Sequence, residues 1–425
     1  MQADVVQPTG YLQLIRENVQ FRRLWLGNVV SLFGDWFNTI ALYALILELT
    51  GSEFALGAVF ITKMLPWALA SPLAGILVDR FDRRKTMIIS DLLRAVVVLG
   101  FLLVDEPHEV FLIYVLTTVQ VVVGSVFHPA QSASIPNVAK KEDLVTANAI
   151  MSATWSVLLA FGAAAGGFAA ELFGLKTVFI LDSLSYLLSA WFIYRTVIPQ
   201  YTESKPRGTL IRTAHREVVE GWRYLRSHPA ISRMASVKAF WAVGGGGLIY
   251  MLALVGDSMY PEHQAAAIGL VFAARGIGTG IGPIVARSLF KNERNWVVVI
   301  GASMMFTGLG YFMLGLIPWT WMVIFPIIFA HIAGGANWVL STVQLQRRAI
   351  DQYRGRVFAT EWLLVMGVEA LSILLASLVL EMGLISLRST VLGFAMASTI
   401  IGLFWAIRAI PAEKSDYREG KVPEA

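Results

Sequence analysis

Asp35, Lys63, Arg275 and Glu369 stand inside stretches that are otherwise largely apolar. A charge at the middle of a bilayer costs at least ~2.5–3.5 kcal/mol, so such residues persist where they line a wet space or pair with one another. Asp35 falls about 18 Å into its apolar run, at ~1.5 Å per helical residue, hence near the midplane. Glu369 and Arg275 lie at comparable depth in theirs, and Lys63 lies nearer one end of its own. A carboxylate facing a cavity that opens by turns to either compartment can take up a proton on one side and release it on the other. Asp35 and Glu369 are accordingly candidates for carrying protons or anchoring a cationic substrate, with Arg275 and Lys63 beside them. The same residues also allow a static arrangement, Asp35 bridged to Lys63 and Glu369 to Arg275. Trp36, Phe37, Trp241, Tyr250 and Trp338 are candidates to line a cavity that takes an apolar or aromatic ligand.

Other chemistry is poorly supplied. The sequence has no cysteine, which excludes disulfides, thiolate zinc sites and iron–sulfur clusters. No His/Asp/Glu group has metal-ligand spacing, no Ser/His/Asp set is suggested by position, and His331 reads as a lone core residue. A nucleotide-binding loop with its Lys-Ser/Thr is missing, so direct ATP drive is not expected. The net charge of +5 comes from basic residues that punctuate apolar runs and form no patch for nucleic acid.

The elements that must position these residues are membrane spans. Hydrophobic residues make up 56% of the 425-residue chain and charged ones 15%, against roughly 25% charged in a soluble globule. A helix needs about 20 mostly apolar residues to cross about 30 Å of hydrocarbon. Twelve segments qualify: 23–48, 54–78, 86–104, 110–130, 146–170, 175–196, 232–256, 265–288, 295–316, 319–341, 358–381 and 387–409. Cytoplasmic loops hold the excess of Lys and Arg. With the N-terminus inside, 28 of the 34 basic residues fall on that side, and only Lys176 and Arg388 fall opposite. Both termini are therefore expected on the cytoplasmic side of a multi-pass membrane protein. No signal peptide is visible, and residues 11–23 read as a short amphipathic helix along the membrane surface.

The polar stretch after Pro199 separates six spans from six, and Val218, Val219, Trp222 and Leu225 give it one helical apolar face. The expected organisation is an N-terminal segment 1–22, a bundle 23–198, a linker 199–231, a second bundle 232–410 and a tail 411–425. Gly75 precedes Arg80 by the same five residues as Gly282 precedes Arg287, at corresponding places in the two halves. Such faint repetition accompanies transporters built from repeated bundles. The glycines 244–247 in the seventh span read either as a flexing point or as close packing.

Residues Gly75-Ile-Leu-Val-Asp79-Arg80-Phe-Asp82-Arg83-Arg84-Lys85 resemble the signature loop between helices 2 and 3 of the major facilitator superfamily. Ser31-Leu-Phe-Gly34-Asp35-Trp36, Phe127-His-Pro129-Ala130, Asp182-Ser-Leu-Ser185 and Tyr353-Arg354-Gly355-Arg356-Val357 look like its macrolide-efflux and enterobactin-exporter branch. The resemblance covers nearly the whole chain. It implies an all-α membrane protein, two pseudo-symmetric six-helix bundles around a cavity, moving by alternating access. Export coupled to inward proton flow, as in drug:proton antiporters, is implied too. Three motifs depart from the pattern: the fourth span carries Gln120 and Gly124 where many antiporters have an arginine, Gly162, Gly166 and Gly167 come without the antiporter proline, and Ala286 replaces the second aspartate.

Within that frame Asp79, beside Gly75, Arg80, Arg83 and Arg84, is expected to form a charge latch between the bundles, with Asp91 and Arg94 completing the network. The expected function is a secondary active exporter, not an enzyme, of an amphipathic small molecule such as a drug, macrolide or siderophore. A lysophospholipid or other lipid-like substrate, and a non-transporting sensor or assembly protein of the same fold, are the alternatives. The partners are the lipid bilayer, a small-molecule substrate and protons. The proton gradient stands in place of any cofactor, and the chain is expected to act as a monomer.

Overall fold

The computed structural model describes residues 9–200 and 210–419. The described chain is helical, with no strand. A short α1 (Tyr11–Glu17) leads into α2 (Val19–Thr50), α3 (Glu53–Arg80) and α4 (Arg83–Leu99). The fourth crossing is made of α5 (Val110–Gly124) and α6 (Phe127–Val138), and α7 (Leu144–Phe173) and α8 (Leu175–Tyr194) finish the first half. After α9 (Leu210–Ser227) come α10 (Pro229–Met259), α11 (Gln264–Leu289), α12 (Trp296–Leu316), α13 (Ile324–Arg348), α14 (Asp351–Glu381) and α15 (Leu387–Arg418). Twelve crossings are long and apolar enough to span a membrane. With an even number, the described residues begin and end on one side, here called the terminal face.

Helix ends follow local chemistry. The side chains of Asn18, Ser52, Asp82 and Ser386 accept the backbone N–H three residues on, opening α2, α3, α4 and α15. Gly51 closes α2 with φ 58°, a conformation that a side chain would strain. Two boundaries differ from the sequence reading. Residues 131–138, expected in a polar connection, continue the fourth crossing as α6. Residues 411–418, expected in a tail, prolong α15, because Glu413 is buried between Arg233 and Arg348. Of the expected linker, 201–209 lies outside the described residues; its helix α9 packs on α14 and touches α3, with Tyr224 stacked on Tyr353 at 4.6 Å, while Trp222 of the expected apolar face is exposed.

Helices in lipid gain little from burying apolar surface, so small residues that allow close approach decide where they meet. The bundles meet along two seams. In one, α7 crosses α11: a Cβ on Gly269 would stand 2.6 Å from the Ala163 carbonyl, and one on Gly280 3.2 Å from Ser156 Cβ. In the other, α3 crosses α14, where a Cβ on Gly57 would stand 2.6 Å from Ser377 Cβ. The glycines of α10 likewise serve close packing, since the helix runs unbroken and Gly244 and Gly246 abut Ser398 and Glu369.

Interbundle hydrogen bonds gather at the face opposite the termini. Glu381 accepts from Ser52 Oγ at 2.8 Å and from the Phe54 N–H at 2.9 Å. Tyr250 donates to the Glu53 carbonyl at 2.6 Å, and His263 meets Glu171 at 2.7 Å. Beneath them Tyr43 stacks on Phe60 at 4.3 Å, and Phe272 and Tyr250 close around that pair at 5.7 Å each. This side is shut.

Gly167 sits in the same closed seam, where a Cβ would meet the Ala265 carbonyl and lie 3.0 Å from Gly269 Cα. Overpacking of this kind costs ~1–3 kcal/mol. Gly167→Leu is expected to move the population roughly 5- to 150-fold toward a state open at the opposite face. Distance labels at Leu172 and Glu262 report it. An unaltered distance distribution would show that the seam does not set the closed state.

Candidate functional site

Within the first bundle, three helices bring ionisable groups to one place. Asp182, Tyr186 and Ser189 share one face of α8, Asp91 and Arg94 lie three apart on α4, and α2 supplies Asp35 and Asn38. Arg94, 5% exposed, pairs with Asp91 and stands 3.7 Å from the Asp35 carboxylate. It also lies over the Tyr186 ring, 4.2 Å from the centroid. Tyr186 donates its hydroxyl hydrogen to Asp35 and receives the Gln120 amide at 3.0 Å. Ser189 donates to Asp91 at 2.7 Å, and the Asn38 amide donates to Asp182 at 2.8 Å. Small residues make the room: a Cβ on Gly34 would lie 2.8 Å from Ser185 Cβ, and one on Gly124 3.3 Å from Arg94 Cδ.

Exposure separates the carboxylates. Asp91 and Asp182 are fully buried, whereas the Asp35 side chain is 35% exposed. Asp35 is thus the member of the cluster that reaches open space. Lys63 does not bridge to it. The ammonium donates to Thr39 Oγ1 at 2.8 Å, and Thr39 in turn donates to the Asp35 backbone carbonyl at 2.6 Å. The static Asp35–Lys63 bridge is therefore absent: Thr39 takes the Lys63 ammonium, and Arg94 faces the Asp35 carboxylate.

Asp91 and Arg94 correct the sequence reading. They belong to the Asp35 cluster and not to the loop, since α4 carries them into the bundle interior. The loop itself is tied to its own bundle: Arg83 donates to the Ala133 carbonyl at 2.7 Å and to Asn137 at 3.0 Å, and Arg84 to the Tyr194 carbonyl. Asp79 is exposed, and Gly75 faces open space. Arg80, at the end of α3, is half-buried.

In the second bundle Glu369 lies buried against α10, where a Cβ on Gly246 would stand 2.8 Å from its Cγ. Arg275 lies over the Phe272 ring at 5.8 Å. No ion pair or hydrogen bond joins Arg275 to Glu369 among the described residues, though the two lie within charge–charge reach. A pair that the sequence reading missed sits nearer the terminal face. Lys238 of α10 is 2.9 Å from Glu361 of α14, both almost fully buried, and its ammonium lies 4.6 Å from the Trp338 ring centroid. The signal was there, a lysine inside an apolar span, but its partner stands over a hundred residues away.

The aromatic candidates divide. Trp338 and Trp36 are half-buried and Trp241 is 8% exposed. Phe37 is core, packed against Phe33 and Gly166. Tyr250 is fully buried and closes the opposite face. Neither lines a cavity, because their helices turn those positions into the bundle contacts. Trp67 and Trp362, unremarked in the sequence, are half-buried and join Trp338 and Trp241 in one run of rings. Trp67 packs edge-on to Trp362 at 5.4 Å, Trp362 reaches Trp338 at 5.6 Å, and Trp338 reaches Trp241 at 6.4 Å. This arc crosses from α3 of one bundle to α14, α13 and α10 of the other. Among the described residues no group of His, Asp and Glu could hold a metal ion.

A half-exposed carboxylate in mid-membrane and a tryptophan arc between the bundles can hold a molecule with an apolar body and a positive charge. The comparisons with known proteins agree with the architecture. Macrolide efflux protein A of Streptococcus pyogenes is 24% identical over 354 residues, 80% of this chain and 84% of that one. The putative bacilysin exporter BacE of Bacillus amyloliquefaciens is 26% identical over 345 residues, 79% and 82%. YfiS of Bacillus subtilis (strain 168), an uncharacterized MFS-type transporter, is 27% identical over 222 residues, but this match spans only 52% of its length. Among solved structures, a POT family transporter in complex with 5-aminolevulinic acid superposes with a TM-score of 0.73 at 10% identity, covering 92% of this chain and 96% of that one. An inward-facing, unoccupied bacterial homolog of the human lysosomal transporter Spinster gives 0.65 at 17% identity, covering 94% and 97%. Residues 24–360 match the family model of the Major Facilitator Superfamily. With twelve crossings in two bundles, a closed opposite face and that match, the chain belongs to the Major Facilitator Superfamily and is a membrane transporter, not an enzyme.

Proposed function

We propose that the chain exports an amphipathic, positively charged small molecule in exchange for protons, by alternating access. The observation that carries this reading is Asp35, a half-exposed carboxylate held by Tyr186 and Arg94 in mid-membrane. The substrate's apolar body lies against Trp67, Trp362 and Trp338, and its charge settles on Asp35. The efflux and exporter names of the relatives support the outward direction. In this reading the membrane is the bacterial inner membrane and the terminal face is the cytoplasmic one, the latter supported by the excess of Lys and Arg on that side. The arrangement seen is then the one that receives substrate from the cytoplasm. Asp79 and the bases around it act as the latch of the other arrangement, meeting the second bundle when the terminal face closes.

Proteoliposomes with an imposed pH gradient and an internal pH indicator test the reading. A panel of macrolides, lipophilic cations and lysophospholipids is added in turn. Cationic amphiphiles are expected to drive proton flux that depends on their concentration. Flux with lysophospholipid alone would replace the substrate class, and no flux with any member would favour a protein that keeps the fold without transport.

A further inference from the structure

The charges inside the two bundles do not balance alike. The second bundle sets Glu361 and Glu369 against Lys238 and Arg275. The first sets three carboxyls, Asp35, Asp91 and Asp182, against only Lys63 and Arg94. An unmatched charge in a dry interior is costly, and a proton on one carboxyl removes it.

Contacts single out the carboxyl. Asp91 has Arg94 and the Ser189 hydroxyl. Asp35 has Arg94, the Tyr186 hydroxyl and open space. Asp182, 0% exposed, has only neutral partners: the Asn38 amide at 2.8 Å and the Ser185 hydroxyl at 3.3 Å. The other titratable groups facing this cluster are Asp35 of α2, Lys63 of α3, Asp91 and Arg94 of α4, His128 of α6 and Tyr186 of α8. A second observation concerns Asn38. Its side chain is fully buried, and its Oδ1 has no hydrogen-bond donor. The two ends of a carboxamide are told apart only by their partners. Turned over, Asn38 would offer that orphan oxygen to a protonated Asp182. One amide thus serves either form of the acid, donating to the carboxylate or accepting from the carboxyl.

We propose that Asp182 is the proton-binding carboxyl of the first bundle: it holds one proton in the arrangement seen here and releases it when a cation settles at Asp35. The release rests on the exchange reading above. The Asp182 O–H bond breaks, the proton passes to water in the space that Asp35 borders, and the arriving cation balances the carboxylate left behind. The same unit of negative charge is thus matched by a proton or by a substrate, one for one.

Infrared spectroscopy of the full chain in lipid bilayers tests this at neutral pH with no gradient imposed. A protonated-carboxyl carbonyl stretch, shifted by deuterium exchange, is expected in the unaltered protein. Asp182→Asn, shaped like the neutral acid, should fold and lose the band. Asn38→Leu, which removes the amide from Asp182, should move the band to higher frequency. Saturating tetraphenylphosphonium should bleach it. A band absent from the unaltered protein, persisting in Asp182→Asn, or unmoved in Asn38→Leu overturns the assignment. A band that behaves as expected but ignores tetraphenylphosphonium keeps the proton on Asp182 and overturns its release by a cation. Because no transport is read, failure here and failure of proton flux in proteoliposomes are separate results.

Discussion

Replacing Asp35 by Asn is expected to abolish exchange of a cationic substrate for protons while sparing membrane insertion. The physical argument begins with what Asn keeps. Its carboxamide oxygen can still accept the Tyr186 hydroxyl, and Asp91 still pairs with Arg94, so the packing of α2, α4 and α8 survives. What Asn lacks is the charge at the one member of the cluster that reaches open space. Truncating one partner of a partly desolvated charge pair costs about 2–5 kcal/mol, a loss of at least ~30-fold in affinity. Binding should fall by that factor for lipophilic cations and much less for neutral macrocycles. Coupled efflux from proteoliposomes, read beside a binding titration, measures both. A variant that transports cations at the original rate would remove Asp35 from the path.

The second large effect is on stability. Lys238→Met is expected to destabilise the chain by about 3–5 kcal/mol, because it strands Glu361 in a buried position with no cation. A buried ion pair adds little over an apolar pair of the same shape, whereas breaking one is expensive. Lys238→Met combined with Glu361→Gln should therefore recover most of the loss. Heat-induced unfolding in detergent, followed by tryptophan fluorescence, orders the three proteins: unaltered, double variant, single variant. A single variant as stable as the parent would show that Glu361 is solvated or already neutral.

These two sites differ in how far the sequence disclosed them. Asp35 was visible because a carboxylate deep in an apolar run has few structural excuses, and its depth follows from counting residues along a helix. Its neighbours were not visible. Nearness in sequence groups Arg94 with the loop, yet α4 carries it to Asp35, while Lys63, the partner that the sequence offers, turns to Thr39. Depth is a property of one helix; azimuth is a property of the bundle. The aromatics repeat the lesson. Phe37 and Tyr250 have the right type but face into helix contacts, whereas Trp67 and Trp362 face one another across the two bundles.

The sequence by itself determined the twelve crossings, their division around one polar stretch and the side that carries the positive charge. Each of these follows from local composition, since a bilayer tests every stretch of some twenty residues for itself. Only the tertiary structure decided which charges meet, which carboxyl has only neutral hydrogen-bond partners, which aromatics meet across the bundles and which face is shut. Those outcomes depend on how each helix is rotated about its axis and how closely its glycines let a neighbour approach, and residues far apart along the chain settle both together.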